Sequence, residues 1–309
     1  MRYERIVRAI MTTPWAILPA KAEAICELIA IKAAGGDVSD DQVRLLLAAA
    51  RPTASAGGAI AVLPIMGTIV HRAGMLAEYS GGTSTERVTQ ALRQAIADPS
   101  IGAVVLDVDS PGGSVNGVPE LAAEIRSARE RKPIVAVANA LAASAGYWLA
   151  SQASEVLVTP SGEVGSIGVI AVHEDVTAAL ERQGVKLSII RAGAHKGEGN
   201  PYEPLTDEAR AAIQADVDRY YAMFLDDVAA GRGVSVSDAR DGFGEGRVVG
   251  AREAVRLGMA DRVGTFDDAV QRAAQLQRRR PSGASAADDL DRRRRRARLA
   301  GVASGGGRV

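Results

Sequence analysis

Apolar and polar positions fall in blocks along this chain. Fully apolar runs stand at Ile60–Ile65, Ala103–Leu106, Ile134–Val137, Val156–Val158, Val169–Val172 and Leu187–Ile190. Between several of them, over 84–97, 118–130, 144–153 and 176–183, the apolar residues recur at helical spacing. A run that is apolar at every position predicts a strand covered on both faces, and such strands separated by helices build parallel sheets. A longer helical pattern over 207–230 ends at Gly231 and Gly233. The pattern predicts an α/β fold with one main domain.

The two ends read differently. Ala22–Ala34 is rich in helix formers, and Ser39-Asp-Asp-Gln42 is placed to cap a second helix running into Leu45–Leu47. Arg51–Gly58 has the composition of a linker. From about Gln275 the chain turns to arginine, glycine and serine, with arginine blocks at 278–280 and 292–296, a composition that does not sustain a core. The expected organisation is a helical N-terminal segment and linker over 1–57, a core over 58–274 and a disordered basic tail over 275–309.

Composition narrows the function classes. Of 309 residues, 47% are hydrophobic and 24% charged, which excludes collagen-like, coiled-coil and largely disordered chains. Lysine plus arginine balances aspartate plus glutamate at 37 each, so no global field draws the protein to nucleic acid or an anionic membrane; only the tail is suited to DNA or an acidic partner. Cys26 is the one cysteine, and His71, His173 and His195 lack metal-ligand spacing, so neither a metal nor a cofactor is expected. No apolar run approaches the roughly 20 residues that span a bilayer. Thr13, Pro14 and Lys21 interrupt the start before a signal-peptide core can form. A soluble, cytoplasmic protein is expected.

Chemistry is expected in the loops that follow the strands. Val104–Val108 leads into Asp109-Ser-Pro-Gly-Gly-Ser114, where paired glycines allow close approach of another chain and leave backbone N–H groups available to a developing oxyanion. After the next strand, Ser144 stands among alanines at the start of a helix. Such a serine is either an N-cap or an exposed nucleophile, and the glycine turn one strand earlier favours the second reading. A serine nucleophile needs a base. His173, His195 and Lys196 are all candidates by residue type, the lysine only if desolvation lowers its pKa.

Six segments in order resemble the signal peptide peptidase A (protease IV) family of serine proteases, within the wider Clp-protease/crotonase group of folds. They are Asp107–Gly113, Lys132–Val135, Ala143–Tyr147, Gly165–Val169, the lysine-bearing Gly193–Pro204, and Gly246–Gly250 continued through Leu257–Asp261. The resemblance covers about 58–272 and implies a Clp-like core of parallel strands and helices. It implies Ser144 as nucleophile, Lys196 as general base, the Gly113 and Ala145 amides as oxyanion hole, and Ser166 as the group orienting the lysine. The family favours glycine where this chain has Ala145; any residue but proline supplies that amide. The Thr13–Ile17 segment and Ala59–Gly67 resemble the phage head maturation branch, which implies scaffold, portal or capsid proteins as substrates, the chain itself among them. It also implies assembly into a homo-oligomeric ring, within the host cytoplasm or the assembling procapsid.

Three other readings stay open on the residues alone. A crotonase-like acyl-CoA enzyme would use the two amides without a nucleophile. A non-enzymatic assembly scaffold would keep only the fold. A Clp-like protease would take His173 as its base. Outside the site, His71 is expected at the surface without a partner, Trp148 in the core, and Asp226-Asp227 in solvent.

Overall fold

The computed structural model describes residues 14–19, 60–72 and 82–279. The helical patterns expected over 22–34 and 39–47, the linker and the tail beyond Arg279 lie outside the described residues.

The fold is α/β. A seven-stranded sheet carries the core: β2 (Ile60–Met66), β5 (Ala103–Ser110) and β7 (Ile134–Ala143) run side by side and parallel. The ten-residue β7 divides its far edge. Val135–Ala138 pairs with β8 (Glu155–Val158), and Leu141–Ala143 pairs with β9 (Glu163–Gly165). The antiparallel β10 (Val248–Gly250) closes beyond β9, and β11 (Arg262–Val263) lies beside β8. A second, four-stranded sheet takes the order β1-β6-β3-β4, from β1 (Trp15–Ile17), β6 (Gly112–Ser114), β3 (Ile69–Val70) and β4 (Thr83–Ser84).

The block pattern has a direct physical cause. Val104, Leu106 and Val108 face one hydrophobic cluster while Ala103 and Val105 face another, and β7 divides in the same way at Ile134 and Ala136 against Val135 and Val137. The larger cluster is covered by α1 (Thr85–Ala97), α2 (Val118–Arg129), α3 (Ala145–Ala150) and α5 (Asp207–Arg232). The smaller is covered by α8 (Phe266–Arg279), through Ala269 and Ala273. This last helix continues past 274, so the first residues counted to the tail are helical; Leu276 packs against the smaller cluster. The remaining helices are α4 (Thr177–Arg182), α6 (Val236–Gly242) and α7 (Ala251–Leu257).

Three expectations need correction. Trp15–Ile17, inside the segment expected to be helical, is a strand, because its backbone groups find partners on β6. Val169–Val172 forms no strand; Ile170 makes a single bridge to Trp15. Leu187–Ile190 pairs with nothing among the described residues and stands in solvent, Ile190 at 97% exposure. Apolar content alone does not make a strand when no edge of the same chain lies within reach.

Candidate active site

Three strands end at one place. The register sets Ser110 against Ala142, and Ala143 against Gly165, so the turns after β5, β7 and β9 converge on Ser144. The chain leaves β7 through a sharp reversal: Ser144 has φ 54° and ψ −119°, a region that costs a non-glycine residue about 1–3 kcal/mol. Ser144 N donates to Gly165 O at 2.7 Å, and Trp148 N donates to Ser144 O at 2.9 Å, which together hold the reversal.

Ser144 occupies the N-cap position of α3, yet its hydroxyl makes no capping bond. The residue is fully buried, and its Oγ has no hydrogen-bond partner among the described residues. An unmade buried hydrogen bond costs about 1–3 kcal/mol. A serine that is strained, buried and unbonded is maintained at a cost to stability, as reactive groups are.

The turn after β5 is built around it. Ser110 Oγ donates to Gly67 O at 2.6 Å and accepts from Gly112 N at 3.1 Å. Gly112 has φ 102°, and a Cβ there would lie 2.1 Å from Ala16 O and 2.9 Å from Ser144 Cβ. Gly113 follows in β6. Ala145 opens α3, where the first amides have no intrahelical acceptor. Ser166, just after β9, also has positive φ (53°); its amide donates to Arg247 O at 2.8 Å and it is 4% exposed. Of the five residues singled out in the sequence, Ser144, Gly113, Ala145 and Ser166 lie on these converging turns.

Lys196 does not reach Ser144 Oγ within the chain. It sits in an exposed turn over 193–199, and its amine has no hydrogen-bond or ion-pair partner among the described residues. The histidines are no closer to contact. His173 Nε2 lies 3.3 Å from Asn200 O. His195 hydrogen-bonds Glu198, which raises its pKa. His195, Glu198 and Glu208 bring one ligand-type atom each within 4.8 Å of the others; such solvent-facing acidic clusters are common without an ion.

At the rim, burial pushes the carboxyls of Asp107 and Asp109 above their ordinary range. Asn139 Nδ2, donating to Asp107 at 3.1 Å, and the amides of Leu141 and Ala140, donating to Asp109, oppose that shift. Beneath the site, Trp148 is core as expected, stacked on Phe224 at 4.4 Å. Its Nε1 donates to Asp227 at 2.8 Å, and Asp227 also pairs with Arg126 at 2.8 Å. Asp227 therefore braces the site from behind, whereas Asp226 is exposed. His71 is exposed as expected but has a partner, Thr85 Oγ1, at 3.2 Å.

The sequence reading missed β1. Pro14-Trp-Ala-Ile-Leu-Pro19 is a short apolar run bounded by prolines, a strand signal in its own right.

Residues 126–280 match the model of peptidase family S49, half of the chain. The chain belongs to peptidase family S49. It is 42% identical over 211 residues to capsid assembly protease C of Escherichia phage lambda, covering 68% of this chain and 48% of that protein. It is 40% identical over 211 residues to the head-tail preconnector protein GP5 of Enterobacteria phage P21, covering 68% and 42%. A putative protease of Synechocystis sp. is 30% identical over 194 residues, covering 63% and 70%. The chain thus spans about half the length of the two phage relatives. No described helix is long and apolar enough to cross a membrane.

Proposed function

We propose that this chain is a serine endopeptidase with Ser144 as nucleophile and Lys196 as base, cutting proteins of an assembling phage head, itself included. The observation that carries the reading is Ser144: strained, fully buried, and unbonded at the meeting point of three strand ends. Family membership and the names of the two phage relatives support this choice of substrate class.

In the reaction, Ser144 Oγ attacks the scissile carbonyl as the lysine amine takes its proton. The Gly113 and Ala145 amides hold the tetrahedral oxyanion, worth about 10²–10³ in turnover for each donor. The proton passes to the leaving amine, and water releases the acyl group from Ser144. Ser166 is the positioning residue for the amine.

Because Lys196 stands in solvent within one chain, we infer that a second copy completes the site. Val185, Leu187, Ile189 and Ile190 are all more than a third exposed on the segment leading to the lysine. A neighbouring copy seated there would cover them and desolvate the amine, which is what a neutral lysine requires.

The experiment is to follow the intact mass of the full chain beside Ser144→Ala and Lys196→Ala. Wild type is expected to shorten while both variants stay whole, with hydrolysis of casein reduced at least about 10³-fold. Full activity in Lys196→Ala with loss in Ser144→Ala would move the base to a histidine. Full activity in Ser144→Ala would end the peptidase reading.

A further inference from the structure

The segment Pro14–Leu18 lies across the nucleophile in the manner of a bound peptide. It runs antiparallel to β6 with Trp15 opposite Ser114, Ala16 opposite Gly113 and Ile17 opposite Gly112. Leu18 N donates to Pro111 O at 2.8 Å, and Val115 N donates to Pro14 O at 3.3 Å. Bonded pairs alternate along an antiparallel ladder, so the pair between these two, Ala16 and Gly113, is also a bonded one. The Gly113 amide, an oxyanion donor in the reading above, thereby faces the Ala16 carbonyl. On its other edge the segment is held by Ile170: Trp15 N donates to Ile170 O, and Ile170 N to Trp15 O, each at 2.9 Å.

Burial and proximity agree. Trp15, Ala16 and Ile17 are 7%, 0% and 3% exposed. A single point, the Cβ position of Gly112, lies 2.1 Å from Ala16 O and 2.9 Å from Ser144 Cβ, so those two atoms are no further apart than the sum of the distances. An edge strand added only for stability would not need to align one carbonyl with the Gly113 amide beside an unbonded, fully buried hydroxyl.

We propose that Pro14–Leu18 is a built-in substrate whose Ala16–Ile17 peptide bond is the chain's own processing site, and that the docked strand closes the groove to other peptides until it is cut. The inference rests on the serine peptidase reading and deepens it: the groove takes an extended peptide with an alanine-sized residue on the acyl side. Ser144 Oγ bonds to the Ala16 carbonyl carbon while its proton passes to the base. The carbon–nitrogen bond to Ile17 breaks, and the Ile17 nitrogen takes that proton and leaves as a free amine. Water then adds to the Ala16 ester, restoring the Ser144 hydroxyl and freeing the Ala16 carboxylate.

The test uses the full chain, the fluorogenic peptide acetyl-Pro-Trp-Ala-aminomethylcoumarin and intact-mass analysis. Wild type is expected to lose residues 1–16, begin at Ile17, and hydrolyse the peptide after a lag that ends as the shortened chain accumulates; Ser144→Ala should stay whole. In Ala16→Asp a carboxylate cannot remain at a fully buried position, so the strand should leave the groove, the bond after residue 16 should stay uncut, and the initial rate should rise about ten-fold with no lag. Immediate hydrolysis by wild type that keeps residues 14–18, or cleavage only at other bonds, overturns the inference while leaving the peptidase reading in place. If neither chain hydrolyses the peptide, wild type stays whole, and Ser144 takes up no fluorophosphonate, the peptidase reading fails and the inference fails with it. Should Ala16→Asp not fold, the wild-type lag and the identity of its new terminus still decide.

Discussion

Ser144 depends on residues that do no chemistry. Gly112 is one of them, since its φ of 102° and a built Cβ 2.1 Å from Ala16 O and 2.9 Å from Ser144 Cβ leave no room for a side chain. In the Ala16→Asp background, where the strand has left the groove, Gly112→Ala should lower kcat/KM for peptide hydrolysis by about 10²-fold, as a displacement near 1 Å at a reacting group does. Circular dichroism should show the fold retained; unchanged kinetics would mean that this turn does not place the nucleophile. At the rim, Asp107 and Asp109 are held above their ordinary 3.8 by burial, so the fold favours their neutral forms. Their contribution to stability is present below that ordinary value and is lost as pH rises through the raised one. Asp107→Asn removes the charge and keeps an acceptor for Asn139, so it should raise the urea midpoint at neutral pH and change nothing well below pH 3.8. A lower midpoint at neutral pH would mean that the charged bond to Asn139 outweighs burial. The special place of Ser144 was legible in the sequence because position, neighbours and the preceding glycine turn all singled it out, and the structure holds it strained, buried and unbonded. The surroundings of Lys196 were not, because a side-chain type does not reveal which surface will cover it.

At the scale of elements, legibility followed the number of buried faces. β5 and β7 present alternate residues to two hydrophobic clusters, so every position is apolar and the run cannot be mistaken. Leu187–Ile190 has the same composition and forms no strand within the chain. The difference is not intrinsic propensity but the absence of an available edge, which no local pattern encodes. β1 failed in the opposite sense. Three strand residues between prolines are too few for a periodicity, and their pairing partner, Gly112–Ser114, lies about a hundred residues away in sequence. Such non-local pairing is set by the groove between β6 and Ile170, which exists only once the sheet has formed. The site's walls were therefore readable, while the pairing of β1 with β6 became visible only in three dimensions.

For the whole molecule, one chain leaves two things unfinished: a buried hydroxyl without a partner and an exposed lysine on an apolar arm. Ile190 at 97% exposure and Leu187 at 49% are poor surface residues for a monomer, and each would be covered by a neighbouring copy. If the lysine crosses to that neighbour, Ser144→Ala and Lys196→Ala chains are each inactive alone but complement each other when mixed. Random mixing at equal amounts should restore up to about a quarter of wild-type hydrolysis, the share of sites pairing an intact serine with an intact lysine in a closed ring. Ile190→Asp places a charge in the contact and should shift the sedimentation coefficient toward the monomer, removing both wild-type activity and complementation. Activity that persists in a monomeric Ile190→Asp chain, with no complementation between the two single variants, would instead mean that the arm folds back and delivers Lys196 within its own chain. That outcome would keep the serine–lysine chemistry and discard the shared site, since a lysine supplied in cis must find its desolvation from the same polypeptide.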